Sequence, residues 1–266
     1  MRRSVRVTAL VLLVLLGIVC TIWYAVARED RGGRLTVSFL AVGQGDAVFI
    51  DAPSGRQVLV DGGPDGSVLR ALGSVMPPWD RSVDIVFATS ADAGAVSGLV
   101  DVLQRYSVDL VVQTGVESST PVWNLFEQEA AGKRIVTARR GQVLDLGGGA
   151  YIQILFPDRS VPGAANAEGC VVAKVVYGTT SFLLPCVASA GVQRYLTMLD
   201  GTKLHADALL MSPKQNISPI FAGYVAPTYI VAEGCTSATS TPNAQQLNTC
   251  DGTVTFVSDG KVVTRK

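Results

Sequence analysis

The stretch Val83-Asp84-Ile85-Val86-Phe87-Ala88-Thr89-Ser90-Ala91-Asp92-Ala93-Gly94-Ala95-Val96-Ser97-Gly98-Leu99 sets the strongest constraint on the fold. The apolar run Val83 to Ala88 predicts a buried strand. A small polar loop follows, and Val96, Leu99, Val100 and Leu103 then recur at helical spacing. A loop that leaves the C-terminal end of a strand and opens a helix is where α/β proteins commonly place their chemistry. Here the polar side chains offered at its centre are Ser90 and Asp92, beside Gly94 and Ala95.

Around this unit the pattern predicts hairpins, then β-α alternation, then hairpins again. Leu35 to Leu40, Ala47 to Ile50 and Gln57 to Val60 read as strands, separated by Val42-Gly43-Gln44-Gly45-Asp46 and Pro53-Ser54-Gly55. A helix is expected over Ser67 to Val75, stopped by Pro77-Pro78. Strands are expected at Leu110 to Gln113, Arg134 to Thr137, Tyr151 to Phe156, Ala208 to Met211 and Tyr229 to Ala232. Helices are expected at Val122 to Ala130, Gly191 to Leu199 and Pro219 to Tyr224. Pro157 to Gly169 reads as a loop and Ala244 to Leu247 as a helical turn. Hairpins are expected at Val171 to Leu184 and, over Asp259-Gly260, at Thr253 to Thr264. This order predicts a layered α/β sandwich with mixed sheets.

The N-terminus adds a second element. Arg2, Arg3 and Arg6 precede an uncharged run from Val7 to Ala27, with Trp23 and Tyr24 near its end. About 20 apolar residues suffice to cross a bilayer, and positive charge before them predicts a cytoplasmic N-terminus. The expected organisation is a membrane anchor over 1–27, a linker over 28–34 and a domain over 35–266. The domain then lies outside the cytoplasm, held at the cell membrane by a single pass. A cleaved signal peptide, with Ala25-Val26-Ala27 as its cleavage site, is the alternative. Either reading exports the domain.

Cysteine usage fits export. Beyond Cys20, the chain has Cys170, Cys186, Cys235 and Cys250, an even number that suggests disulfides. Cys170 and Cys186 flank the Val171 to Leu184 hairpin almost symmetrically, which makes them cross-strand neighbours. Cys235 and Cys250 form the remaining pair. Buried free thiols are the alternative. A zinc site is disfavoured: there is no C-x-x-C spacing, and His205 is the single histidine. Lys and Arg number 22 against 22 Asp and Glu, which argues against a strongly basic nucleic-acid surface. Lys133-Arg134 and Arg139-Arg140 form one small basic group, read as a solvated face with phosphate contact as the alternative.

Five blocks in order resemble the metallo-β-lactamase fold. More narrowly, they are similar to the C-terminal domain of the ComEC family of bacterial DNA-uptake proteins. The blocks are Phe39-Leu40-Ala41-Val42-Gly43-Gln44-Gly45-Asp46-Ala47, Leu59-Val60-Asp61-Gly62-Gly63, Asp84 to Leu99, Tyr177 to Leu184, and Asp251-Gly252-Thr253-Val254-Thr255. The resemblance implies a four-layer αββα sandwich with its site at the sheet edges. It also implies a family ligand cluster T-H-P-D-A-D-H, which reads Thr89-Ser90-Ala91-Asp92-Ala93-Gly94-Ala95 here. The family's later T-G-D aligns with Pro185-Cys186-Val187, and its H-H-G-S falls near Pro213-Lys214-Gln215-Asn216. The family domain follows a multi-helix channel, whereas one hydrophobic segment precedes this one.

A serine hydroxyl binds zinc poorly, Lys214 repels a cation, and Asp92 alone cannot replace a four-ligand cluster. Asp61, Ser90, Asp92, Cys186 and Lys214 therefore mark a vestigial site, expected to hold no metal and to lack catalysis. Asp92 is expected to cap the following helix or to be solvated, Asp61 to order nearby turns, and Asp46 to make an Asx-type turn bond. His205 is expected at a surface. The function implied is binding or scaffolding, with envelope or DNA-uptake proteins as partners. Two alternatives stand beside it. One is a zinc-dependent phosphodiesterase or nuclease-like hydrolase, and the other a domain that binds single-stranded DNA without cutting it.

Overall fold

The computed structural model describes residues 12–21, 32–161, 163–213, 215–235 and 244–266. Residues 12–21 are helical and exposed; this segment is α1. Among the described residues no helix is long and apolar enough to cross a membrane. Most of the flanks of the apolar run, with Trp23, Tyr24 and the basic residues before it, lie outside the described residues, as does Lys214.

Arg34–Lys266 forms a compact unit. Its first sheet contains β1 (Leu35–Phe39), β2 (Val48–Asp51), β3 (Gln57–Val60), β4 (Ser82–Ala88), β5 (Ser107–Gln113), β6 (Arg134–Thr137), β14 (Val254–Ser258) and β15 (Val263–Arg265). They lie in the order β15-β14-β1-β2-β3-β4-β5-β6. The second sheet contains β7 (Val143–Gly147), β8 (Ala150–Phe156), β9 (Val172–Tyr177), β10 (Thr180–Leu184), β11 (Ala208–Met211), β12 (Tyr229–Ala232) and β13 (Gln245–Asn248). Its order is β13-β12-β11-β10-β9-β8-β7. Both sheets mix parallel and antiparallel pairs.

Three separate apolar cores make four layers. The central core joins the inner faces of the two sheets through Val37, Phe39, Ile50, Phe87, Ile152, Phe182 and Phe256. A second core lies between the first sheet and α2 (Ser67–Val75), α3 (Ala93–Arg105) and α4 (Pro121–Ala130). The third lies between the second sheet and α6 (Ala190–Asp200) and α7 (Pro219–Val225), with a 3-10 turn at Gly201–Leu204. Strands buried on both faces read as continuous apolar runs rather than alternating ones. That is why Val83 to Ala88 has no polar interruption beyond Asp84.

Several boundaries are longer than expected, and three readings change. Ala244 to Leu247 is not a helical turn: Gln245–Asn248 pairs in parallel with β12 as an edge strand. Val143–Gly147, not read as a strand, pairs with β8 at the opposite edge. The 157–169 loop contains a short helix, α5 (Asn166–Gly169). Both new strands are edge strands with polar or exposed positions, so neither carries the burial pattern on which a strand reading depends.

Candidate functional site

Strands β1, β3 and β4 run in the same direction, because β1 and β3 each pair antiparallel with β2 and β3 pairs parallel with β4. Their C-terminal ends therefore release three loops at one sheet edge: 40–47, 61–66 and 89–92. The ends of β10, β11 and β12 deliver Cys186, Ser212 and Glu233 to the facing edge, since Ser212 bonds Asp46 and Glu233 bonds Ala47.

Glycine lets these loops meet helix α3 backbone to backbone. Gly62 N–H donates to Ala95 O at 2.7 Å, Gly98 N–H to Gly63 O at 3.1 Å, and Gly63 N–H to Asp46 O at 2.9 Å. A methyl group at Gly98 would overlap the Gly62 carbonyl, and one at Gly45 would lie 2.5 Å from the Gly94 oxygen. The glycine-rich blocks seen in the sequence thus mark where main chains touch.

The described ones among the expected site residues gather here, and several of their donor atoms already have partners. Asp61 is buried, with positive φ. Its two oxygens accept from Thr89 N–H at 2.8 Å and Thr89 Oγ1 at 2.5 Å, so it ties the end of β3 to the end of β4. Ser90 is buried, and its Oγ accepts from Asp92 N–H at 3.4 Å. Asp92 stands at the N-terminus of α3 without a side-chain cap bond, contrary to the expected capping role. Asn166 takes it instead, donating Nδ2 to Asp92 Oδ1 at 2.7 Å, while Asn166 Oδ1 accepts from Ala91 N–H. Cys186 is bonded to Cys170, and Cys235 to Cys250, which bears out both expected pairs. Three described non-glycine residues have positive φ, and two of them, Asp61 and Cys186, lie at this edge.

Asp46 makes no Asx turn. Its carboxylate accepts from Ser212 Oγ at 2.6 Å, across 166 positions of chain. The turn is held by backbone bonds instead, which leaves the side chain to cross between the sheets. There it meets Glu233, which the sequence reading missed. Glu233 is fully buried, and its Oε1 accepts from Ala47 N–H at 3.2 Å. Its only sequence signal is position: like Asp61, it follows an apolar strand and precedes glycine.

Carboxyl groups buried close together favour their proton-bound forms. Burial raises the Asp61 carboxyl well above the ordinary range, and the charge of Asp46 adds to this. Burial raises Asp46 against the lowering effect of its hydrogen bonds to Glu233 and Ser212. Glu233 is raised well above its ordinary value by burial, then by the Asp46 charge and by its bond to Asp46. Asp46 Oδ1 and Glu233 Oε2 are buried with no other hydrogen-bond partner, and both carboxyls are pushed towards their protonated forms.

This donor set does not fit a divalent ion. Cys186 has no thiolate, both Asp61 oxygens are engaged by Thr89, and Asp92 is held by Asn166. Zinc sites need about four coordinating atoms, commonly imidazole or thiolate. Among the described residues no three His, Cys, Asp or Glu side chains are arranged to hold a metal. His205 is remote from this edge: it precedes β11 and its Nδ1 lies 3.0 Å from Val225 O. It borders a shallow apolar depression of about 570 Å³ with Pro219, Ile220 and Tyr224. The two basic dipeptides do not form one group. Lys133-Arg134 begins β6, whereas Arg139-Arg140 follows its end, where Arg140 pairs with Asp200.

No family model matches this sequence, and no curated protein matches it. Solved structures do. A protein of Parabacteroides distasonis described as a metal-dependent hydrolase aligns over 80% of this chain and 92% of its own, with a TM-score of 0.50 and 11% identity. A mutant metallo-β-lactamase of Cronobacter sakazakii aligns over 71% and 89%, with a TM-score of 0.45 and 14% identity. CmlA, a diiron β-hydroxylase of Streptomyces venezuelae, aligns over 74% of this chain with a TM-score of 0.48 and 14% identity. The chain spans 44% of CmlA's length. At these identities the likeness is one of fold alone: a mixed α/β class with two facing sheets, consistent with a metallo-β-lactamase-like arrangement.

Proposed function

We propose that this is an extracytoplasmic, membrane-anchored metallo-β-lactamase-like domain that works by binding rather than by catalysis, with envelope or DNA-uptake proteins as partners. The observation that carries the reading is the fate of Cys186. Where the ComEC-like T-G-D pattern would place its metal-bridging aspartate this chain has Val187, and the neighbouring Cys186 is consumed in a disulfide with Cys170. Elsewhere on the edge Thr89 engages both oxygens of Asp61, Asn166 one oxygen of Asp92 and Ser212 one oxygen of Asp46. The two disulfides support an oxidising compartment, and the uncharged run Val7 to Ala27 supports the anchor.

The test is metal content and phosphodiester hydrolysis of the purified full-length chain after exposure to zinc, manganese and iron. The expected result is less than a tenth of an equivalent of each metal, with hydrolysis of bis-p-nitrophenyl phosphate indistinguishable from that of Asp92→Ala. One bound equivalent, with hydrolysis lost in Asp92→Ala, overturns the reading in favour of an enzyme.

A further inference from the structure

The edge opposite the vestigial site has a chemistry of its own. It carries the starts of β1, β3, β4, β5 and β6 and the turn from β14 into β15, as the strand directions require. At the starts of β4 and β5 lies a cavity of about 280 Å³ lined by Leu69, Arg81, Arg105 and Tyr106. It presents two guanidinium groups and no carboxylate. Arg81 stacks on the Tyr106 ring, 5.7 Å from its centre, and Ser107 N–H donates to Arg81 O at 2.8 Å, pinning the two strand starts together. Both arginines are exposed, and Arg guanidinium matches phosphate oxygens in bidentate geometry.

Apolar groups project beside these charges. Trp79, two residues before Arg81, is 71% exposed, and Val262 in the β14–β15 turn is 58% exposed. Four strand spacings separate β4 from β14, roughly 19 Å along the edge. The carboxylates of the same two turns are hydrogen-bonded within their turns: the half-buried Asp80 accepts from Gln57 Nε2, Ser82 N–H and Ser82 Oγ, and the exposed Asp259 from the N–H groups of Lys261 and Val262. The chain also enters here, since β1 begins at Leu35 on this edge. The seven residues 28–34 span at most about 24 Å.

We propose that this edge docks on an anionic phospholipid surface, with a headgroup phosphate held between Arg81 and Arg105 and Trp79 seated at the interface. Tryptophan is favoured at that depth of a bilayer, and basic side chains near an anionic leaflet are attracted to it. The short linker keeps the edge within reach of the bilayer. The inference takes its orientation from the anchored reading, while its chemistry rests on the residues of the edge alone.

The test uses the full-length chain with Trp23→Phe, reconstituted into vesicles of phosphatidylcholine alone or with about 30% phosphatidylglycerol, both containing brominated lipid. Trp123 is buried and stays silent. Quenching is expected to be at least threefold stronger with phosphatidylglycerol, to fall to the phosphatidylcholine level in Arg81→Gln/Arg105→Gln, and to vanish in Trp79→Phe. Equal quenching in the two lipids, in a chain that stays on vesicles through an alkaline carbonate wash, overturns the docking and leaves the anchor standing. A chain stripped by the wash overturns the anchor instead. The docking is then read by sedimentation of the stripped chain with the same vesicles, where a salt-sensitive preference for phosphatidylglycerol lost in the double variant supports it and no preference overturns it. Inorganic phosphate that raises the melting temperature through Arg81 and Arg105, without any lipid preference, assigns the cavity to a soluble anion and overturns the proposal.

Discussion

At the scale of single residues, the informative group is Glu233, an acid buried beside a second carboxyl. Glu233, Asp46 and Asp61 all have carboxyls raised by burial in the folded state. Groups raised on folding stabilise the protein fully below their unfolded pKa, and that stabilisation is lost as pH rises through the folded values. Melting temperature should therefore fall as pH is raised from the carboxylate range towards alkaline, with a slope approaching about 1.4 kcal/mol per pH unit for each group while it titrates. Glu233→Gln keeps a donor towards Asp46 and an acceptor for Ala47 N–H but has no proton to lose. Its melting temperature should exceed that of the parent at pH 8 and vary less with pH. A parent chain that gains stability steadily from pH 5 to pH 8 would show that the three carboxyls do not control it. Asp61 was legible in the sequence as a structural residue because its bond partner, Thr89, sits in the neighbouring loop motif. The Asp46–Glu233 pair was not, because nothing local announces a contact across 187 positions.

At the scale of elements, helix α3 and the glycine loops beneath it decide the geometry of the edge. Ridges of side chains normally keep a helix 8–10 Å from its neighbour, and here Gly94 and Gly98 remove the ridge. Gly98→Ala forces its methyl group onto the Gly62 carbonyl and the Asp65 oxygen. The expected cost is about 2 kcal/mol, within the usual range for overpacking, measured by urea denaturation. Gly73→Ala, with open space around it, should cost nothing measurable or stabilise. The apolar or well-punctuated elements, such as β4, α2, β11 and β12, could be read from the sequence within a residue or so. What escaped were β7 and β13, whose positions at sheet edges leave them without a buried face to read. The short helix α5 escaped too, although its Asn166 is what holds Asp92.

At the scale of the whole molecule, the sheets are joined by aromatic packing centred on the last part of the chain. Phe256 in β14 lies edge-on to Phe39 at 5.9 Å and touches the rings of Phe182 at 6.1 Å and Tyr229 at 4.9 Å. These partners come from β1, β10 and β12, so one side chain spans both sheets. Phe256→Ala should destabilise by about 4 kcal/mol, seen as a shifted denaturation midpoint. A loss below about 1 kcal/mol would show that the core collapses around the gap. The layered sandwich followed from the order of hairpins and β-α units. The edge that gathers Asp61, Ser90, Asp92 and Cys186 followed from motif positions, because loops after parallel strand ends must converge. The second, basic edge could not be seen in the same way. Trp79, Arg81, Arg105 and Val262 belong to unrelated stretches, and only strand direction brings them to one side.

The place of β14 between β1 and β15 has a consequence for biosynthesis. The first strand to emerge waits for a neighbour made more than 200 residues later, so the first sheet keeps an open margin until residues 254–258 have been made. At about 5–20 residues per second, that is a delay of ten seconds or more before the sandwich can shut.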